Sequence, residues 1–546
     1  MNAITNENLE NNFNRVIEGD YFIENKEIRM ISNLIKMFSN IKEPTNIEKT
    51  IFVLRIFSEF KSVETLKNVC NVMIDLGKSK KFYKKKHQEY SEYVDSFLPK
   101  VKEILAEYSH LFEGEELTFI NNFLKKETED SDSIAKIQYV LAKYKAKILS
   151  RSVDGLDYDL QVNQQLKDSD KDAELILTEL EEIAETAFLY LKQIMEFKNE
   201  KSNKDVLNQS AIENKTTKET ILSLQNAIRE NIHVGQKAKH FLEKEMKSNV
   251  MRNEKIRNMS FDSNNELRFT FEEAVNLVKE VFLEKNKGMY DCFVELLDSG
   301  MVDYKPRENK RSGAFAVNTR ELNNKSIIML NFKGELKDVI TLAHEAGHAY
   351  HHKVLSENSV FLNEYPLIFA ETASMYAEQM VYNKLKEKYA NSSDIKALQY
   401  SRIIKIFDLL LMVPSRFDFE ENCYDLLNNN KLSLENVQEM HLKNQEKWYG
   451  KSKGKESSNT WAIVRHYFFI DNSFYNHPYY MGFLINEFLG DNQSEERMKN
   501  FLYKTGYQDA NKCFKEAFGK DLESKEFWVS IIDKIDAEID LIIKNF

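Results

Sequence analysis

A chain of 546 residues with only 16 glycines and 6 prolines can make few tight turns. Sheets of that extent need a turn every few residues. Turns draw on Gly and Pro, which supply positive φ or a pre-set φ. Most of the chain is therefore expected in helices, and its richness in Leu, Lys, Glu and Ile suits them. The length allows one large core or several smaller ones. The fold class read from these facts is mainly α.

Periodicity agrees. Within residues 172–198, Leu177, Leu180, Ile183, Ala184, Ala187, Phe188, Leu191, Ile194 and Met195 recur at spacings of three and four. That is the period of a helix with one apolar face. Residues 1 to about 150 read as a series of amphipathic helices broken at polar clusters 40–48 and 127–133. The stretch 199–218 is polar and lysine-rich and reads as a loop or linker. Thr270 and Glu273 have the spacing of a capping box, so a helix is expected to begin there. The clearest β signal comes from 312–316 and 326–332, which read as two short strands around a polar turn at 323–324.

The formal net charge of −11 disfavours a general nucleic-acid surface and suits solubility. The four cysteines, Cys70, Cys292, Cys423 and Cys513, lie far apart without metal-type spacing. They read as reduced core or surface thiols. No signal peptide is read in the polar first ten residues. No apolar stretch approaches the length of a membrane span. The expectation is a cytoplasmic protein without membrane or nucleic-acid partners, its oligomeric state open.

Chemistry concentrates in residues 341–352, where His344-Glu345-Ala346-Gly347-His348 forms an HExxH motif. Residues four apart lie one above the other on a helix, so both imidazoles can reach one ion. Glu345, beside the first ligand, can reach a water at that ion without binding the ion itself. A catalytic zinc takes three protein ligands and keeps one open position. Glu371, 23 residues after His348, is the candidate third ligand. Its apolar and small neighbours suggest a carboxylate within a packed helix, where coordination to a dication offsets the cost of burial.

Several segments in order give a wider match. They are Lys310-Arg311-Ser312-Gly313-Ala314-Phe315, the run from Asn331-Phe332 through Leu342, and the HExxH motif with His351 after it. Phe369-Ala370-Glu371-Thr372-Ala373-Ser374, Arg416-Phe417-Asp418-Phe419-Glu420 and Trp448-Tyr449-Gly450 follow. On these the chain resembles the thimet oligopeptidase and oligoendopeptidase F family of zinc peptidases, and more closely the oligoendopeptidase F branch. The resemblance covers roughly residues 265 to 510. Its last segment matches Trp461, His466, Phe474-Tyr475, Tyr479, Tyr480 and Gly482, with a longer gap after His466 and with His477 where the family often has Tyr.

The resemblance implies two helical halves enclosing a deep substrate channel, with a small β-sheet next to the HExxH helix, as in gluzincin-type peptidases. Residues 1–200 would form an N-terminal helical region, a channel wall or lid, and 201–546 the catalytic region. It further implies one zinc ion on His344, His348 and Glu371, with Glu345 as general base and short unfolded oligopeptides as substrates. His466, Tyr475 and Tyr479 become candidate donors to the oxyanion, a phenol or imidazole being able to supply that bond. Gly313, Ala314 and Phe315 would offer an edge strand to the peptide backbone. His351 is read as supporting the metal site or facing substrate, and His352 as structural or exposed. Asp338 and Glu378 are read as solvated carboxylates, with orientation of the histidines as the alternative. A zinc carboxypeptidase or aminopeptidase, or a catalytically weakened peptide-binding homologue, are the rival readings.

Overall fold

The computed structural model describes residues 30–39, 44–75, 80–125, 170–246, 267–308, 310–311, 313–319, 325–358, 362, 365–389, 393–450, 458–469, 472–490 and 493–545. The chain forms two compact units. The first comprises Met1–Glu127, Asn265–Asp394 and Leu489–Asp509, and the second Thr128–Asn264, Ile395–Phe488 and Ala510–Phe546. The units interleave, each built from three separate stretches of chain, and the helix Asp170–Lys201 passes residue 200 with Ala187, Tyr190, Leu191 and Ile194 buried. The expected break at 127–133 and the turn at 323–324 lie outside the described residues.

In the first unit, α1 (Asn46–Asp75) packs along α2 (Lys80–Tyr108). α1 starts where Thr45 and Glu48 cap each other: Thr45 N donates to Glu48 Oε2 at 2.8 Å and Glu48 N to Thr45 Oγ1 at 3.3 Å. Phe52, Phe57, Phe60, Tyr83, Tyr90 and Val101 fill the core between these helices. α3 (Phe271–Lys285) begins at Thr270 as its capping box requires, and α4 (Lys287–Asp298) follows.

Three strands come next, β1 (Val302–Asp303), β2 (Phe315–Thr319) and β3 (Lys325–Met329), in the order β1-β3-β2. β2 and β3 are the two expected strands, shifted by a few residues; β1 is too short to leave a sequence signal. β3 pairs antiparallel with β2, Phe315 opposite Met329, and parallel with β1, Val302 opposite Ile328. As the centre strand it is covered on both faces, and Ile327, Ile328, Met329 and Leu330 are all buried. The pleat then sorts its side chains. Met329 joins Phe315 and Val317 against the core of α1 and α2. Ser326, of the opposite parity, bonds His352 of α5 (Leu336–Leu355) at 2.9 Å.

α5 carries the HExxH motif. Its N-terminus is held by Asp338 Oδ2, which accepts from Lys333 N at 2.8 Å and Glu335 N at 3.0 Å. α6 (Thr372–Lys388) crosses it closely, and α7 (Glu495–Lys504) packs on it from elsewhere in the chain.

The second unit is built from helices. The polar stretch expected to be a loop instead holds the helix Val206–Glu213. The polar residues that suggested a linker are caps. Asp205 accepts from Asn208 N, and Thr217 accepts from Thr220 N at the start of the helix Lys218–Glu230. Asp418, almost fully buried on Val413–Asn428, ties its own helix to Lys218–Glu230 and Leu434–Tyr449. It accepts from Arg229 Nη2 at 2.6 Å, Gln225 Nε2 at 2.7 Å, Lys447 Nζ at 2.7 Å and Trp448 Nε1 at 3.0 Å. A buried carboxylate satisfied so fully holds its neighbours in register, and loss of its partners would leave a costly lone charge. The four cysteines are all unbridged and buried, as core thiols. Among the described residues no helix is long and apolar enough to cross a membrane.

The α5–α6 crossing depends on Gly347. A Cβ there would sit on Ala373 O and 2.6 Å from Ser374 Cα, both backbone atoms that cannot swing aside. Gly347→Ala is expected to cost about 1–3 kcal/mol through overpacking. Thermal unfolding should show a lowered midpoint, and an unchanged midpoint would mean the crossing yields easily.

Candidate metal centre

His344 and His348 lie one turn apart on α5, their ring centroids 4.9 Å apart. Glu371 is the residue just before α6, at its N-cap position, and not within a helix as expected. At that end the helix is short of backbone acceptors, and a carboxylate there is favoured by the exposed N–H groups. Glu371 Oε2 lies 3.2 Å from His344 Nε2 and 3.4 Å from His348 Nε2. One atom from each of the three residues falls within a 4.8 Å cluster.

Glu378, two turns further along α6, approaches the other nitrogen of His344 at 3.1 Å. A carboxylate on Nδ1 fixes the Nδ1–H tautomer and leaves Nε2 with its lone pair directed at the cluster. Burial alone would lower the His344 pKa. Its hydrogen bonds to the Glu371 and Glu378 carboxylates outweigh it and hold the imidazole up at about 10. Burial likewise acts to raise the Glu371 pKa, yet the two histidines bring it far below the usual carboxylate range. Two imidazole nitrogens and one carboxylate oxygen thus converge on a single point. The donor set therefore fits a single zinc ion: two imidazoles and one carboxylate, the number a catalytic zinc takes.

Glu345 points its carboxylate into the same region. It is buried, and its Oε2 has no hydrogen-bond partner among the described residues. Burial raises its pKa, against the pull of His344 and His348. An unpaired buried carboxylate oxygen is costly unless something else uses it.

A model described as peptidase family M3 matches residues 156–533, more than half of the chain. The chain belongs to peptidase family M3. Oligoendopeptidase F (chromosomal) of Lactococcus lactis subsp. cremoris is 26% identical over 42% of this chain and 38% of its own length. The chain thus spans less than half of that curated relative in alignment. Among solved structures, PZ peptidase A shares 14% identity at a TM-score of 0.70, over 95% of this chain and 98% of that one. The M32 carboxypeptidase of Deinococcus radiodurans R1 shares 11% identity at a TM-score of 0.56, over 90% and 99%. These two likenesses concern the fold alone.

The remaining expected residues of this M3 chain fall into three groups. His466, Tyr475 and Tyr479 come together in the second unit. The His466 ring lies parallel to Tyr479 at 5.9 Å and edge-on to Tyr475 at 4.9 Å. His466 Nδ1 is 2.8 Å from Asn476 Oδ1. His477, where the family often has Tyr, stands apart from this cluster. It is fully buried, and its Nε2 bonds Ser210 Oγ at 3.2 Å.

Gly313 is exposed with φ +86°, a conformation glycine takes at little cost, and a Cβ there would meet nothing. Ala314 is half-buried beside it. The Phe315 side chain is turned into the α1–α2 core, so only its backbone remains for a peptide. The basic pair before them is structural. Lys310 Nζ, wholly buried, donates to Asp303 Oδ1 at 2.9 Å and Leu330 O at 2.8 Å. Arg311 N donates to Asp75 O at 2.8 Å. Ser312 lies outside the described residues.

His351 is not at a surface where substrate could touch it. It is fully buried, with Nε2 on Thr505 Oγ1 at 2.9 Å and its ring stacked on Tyr365 at 4.2 Å. His352 is buried too, between Ser326 and the Tyr365 hydroxyl. Both later histidines pin α5 to its neighbours. Tyr365 and Gly347 escaped sequence reading altogether, since neither an isolated Tyr nor a Gly within HExxH signals what crosses it.

The two carboxylates weighed as orienters separate cleanly. Glu378→Ala is expected to weaken zinc binding about 10–100-fold. Asp338→Ala should leave zinc affinity alone and cost about 0.5–2 kcal/mol of stability as a lost cap. Competition with a chelator and thermal unfolding, run on both variants, distinguish the two roles; equal effects on zinc would refute the assignment.

Proposed function

We propose that the chain is a zinc-dependent metalloendopeptidase that hydrolyses internal bonds of short, unfolded oligopeptides in the cytoplasm. The observation that carries this reading is the cluster of His344, His348 and Glu371 beside the unpartnered buried oxygen of Glu345. Family membership supports it, as do the oligoendopeptidase F relatives.

A zinc ion bound by the three residues would act as a Lewis acid, polarising the scissile carbonyl and acidifying water at its open position. Everything else falls to the chain. Glu378 holds His344 by Nδ1, so that Nε2 stays directed at the cluster. Glu345 removes a proton from the attacking water and returns it to the leaving amine. A carboxylate within reach of that water can accept the proton and then donate it. His466, Tyr475 and Tyr479 donate hydrogen bonds to the oxyanion of the tetrahedral intermediate. The backbone at Gly313, Ala314 and Phe315, leading into the edge strand β2, bonds the extended peptide.

A carboxypeptidase or aminopeptidase needs a free terminus, and a peptide blocked at both ends denies it one. Cleavage of an internally quenched, doubly blocked peptide by the wild type is the expected outcome. Glu345→Gln should keep its zinc and lose about 10²–10⁴-fold in kcat. Zinc-loaded wild type that cuts only unblocked peptides would transfer the chain to the terminal-directed enzymes. No cleavage of any peptide would leave the peptide-binding homologue.

A further inference from the structure

The segment 472–477 carries Tyr475 and leads into the helix His477–Leu489 that carries Tyr479. Its backbone is fixed by buried side chains from three other segments of the second unit. Lys198 Nζ donates to Asn472 O at 2.5 Å. Ser210 Oγ donates to Ser473 O at 2.8 Å. Phe474 N donates to Glu420 Oε1 at 2.9 Å. Between these anchors Phe474 takes φ +50°, a left-handed conformation that a bulky residue adopts only when its surroundings impose it. Its ring is buried against Phe417 and Tyr424.

Glu420 is the unusual member. It is buried, one carboxylate oxygen meets Phe474 N, and the other has no hydrogen-bond partner among the described residues. Lys198, itself buried, supplies the nearby positive charge. A carboxylate is an expensive way to fill a core, since an amide or an apolar side chain of the same volume would avoid the desolvation cost. What it offers is a strong acceptor for a single N–H in a strained turn. The residue after that N–H is Tyr475, which stands edge-on to His466, and the next is Asn476, which bonds His466 Nδ1. Turning Phe474 back to a negative φ would rotate both out of place.

We propose that Glu420 is a positioning residue, whose bond to the strained Phe474 N–H holds Tyr475 and Asn476 against His466 and so sets the rate of the chemical step. This rests on the proposed peptidase function and on the place of His466 and Tyr475 in it. Glu420 acts through these residues and touches no substrate.

The test uses the zinc-loaded full chain and a doubly blocked quenched peptide. Glu420→Ala removes the acceptor, Glu420→Asp withdraws it by one methylene while keeping the charge, and Glu420→Gln keeps an oxygen in place. Glu420→Ala is expected to lower kcat about 10–100-fold with KM within about twofold, the signature of a misplaced transition-state contact. Glu420→Asp should fall in the same direction, and Glu420→Gln should recover most of the rate. On a Tyr475→Phe background, Glu420→Ala should cost less than about threefold more, because residues acting as one unit are not additive. Should Glu420→Ala fail to fold, Glu420→Asp carries the decision. An unchanged kcat in Glu420→Asp, a rise in KM alone, or losses that multiply with Tyr475→Phe would overturn the proposal. Imidazole NMR of histidine-labelled protein reads the same contact without turnover. The His466 resonances should shift in Glu420→Asp, and unshifted resonances overturn the positioning role. A wild type that cuts no peptide overturns the proposed function instead.

Discussion

The first unit is organised by one close approach, the crossing of α5 and α6 at Gly347. There the backbone of α6 lies where a side chain of α5 would otherwise be. Close packing of backbone on backbone brings the start of α6 within reach of the two imidazoles. Glu371 and Glu378 then meet His344 from the same helix, one at each ring nitrogen. A larger residue at 347 would push the helices apart by roughly the bulk of a methyl group, and ion coordination tolerates only a few tenths of an ångström. The glycine is thus as much a part of the centre as its ligands, although it holds nothing.

The sheet serves that crossing from the other side. β3 is squeezed between the α1–α2 core and α5, and its alternation gives one face to each. Ser326 bonds His352, His352 bonds Tyr365, and Tyr365 stacks on His351, which bonds Thr505 of the segment after α7. This buried polar chain fixes the C-terminal half of α5 against three different parts of the unit. Fully satisfied networks of this kind rigidify what they connect. Rigidity at the end of α5 is passed one turn back to His348.

Much of this was legible in the sequence, and the parts that were not share a cause. HExxH announces two neighbouring imidazoles because its spacing is close to one helical turn. The capping box at Thr270 and the helix period of 172–198 are likewise local, and local patterns read directly. Glu378 and Asp338 looked alike as isolated acids, yet one orients an imidazole and the other caps a helix. What separates them is a contact 34 residues distant, which no window along the chain contains. Glu371 was found by its neighbours and misplaced by them, since small residues suit a helix start pressed against a glycine as well as a helix interior. The division into units was illegible for the same reason: the chain leaves the first unit and returns to it twice.

Buried carboxylates are placed in this chain in two ways, and the contrast bears on what each is for. Asp418 in the second unit is surrounded by donors from Arg229, Gln225, Lys447 and Trp448, so every lone pair has a use and the residue is scaffold. Glu345 and Glu420 are each buried with one oxygen that has no hydrogen-bond partner among the described residues. Such incompleteness costs stability, and a fold retains it where the group is needed for something the resting chain does not contain. For Glu345, the proposed reaction would give that oxygen a use as the acceptor of a proton from water. For Glu420 that oxygen is the price of an acceptor strong enough to keep Phe474 left-handed. Glu345 lies beside His344 in the candidate metal centre, and Glu420 bonds the segment that carries Tyr475, so each carboxylate adjoins residues that the proposed reaction uses.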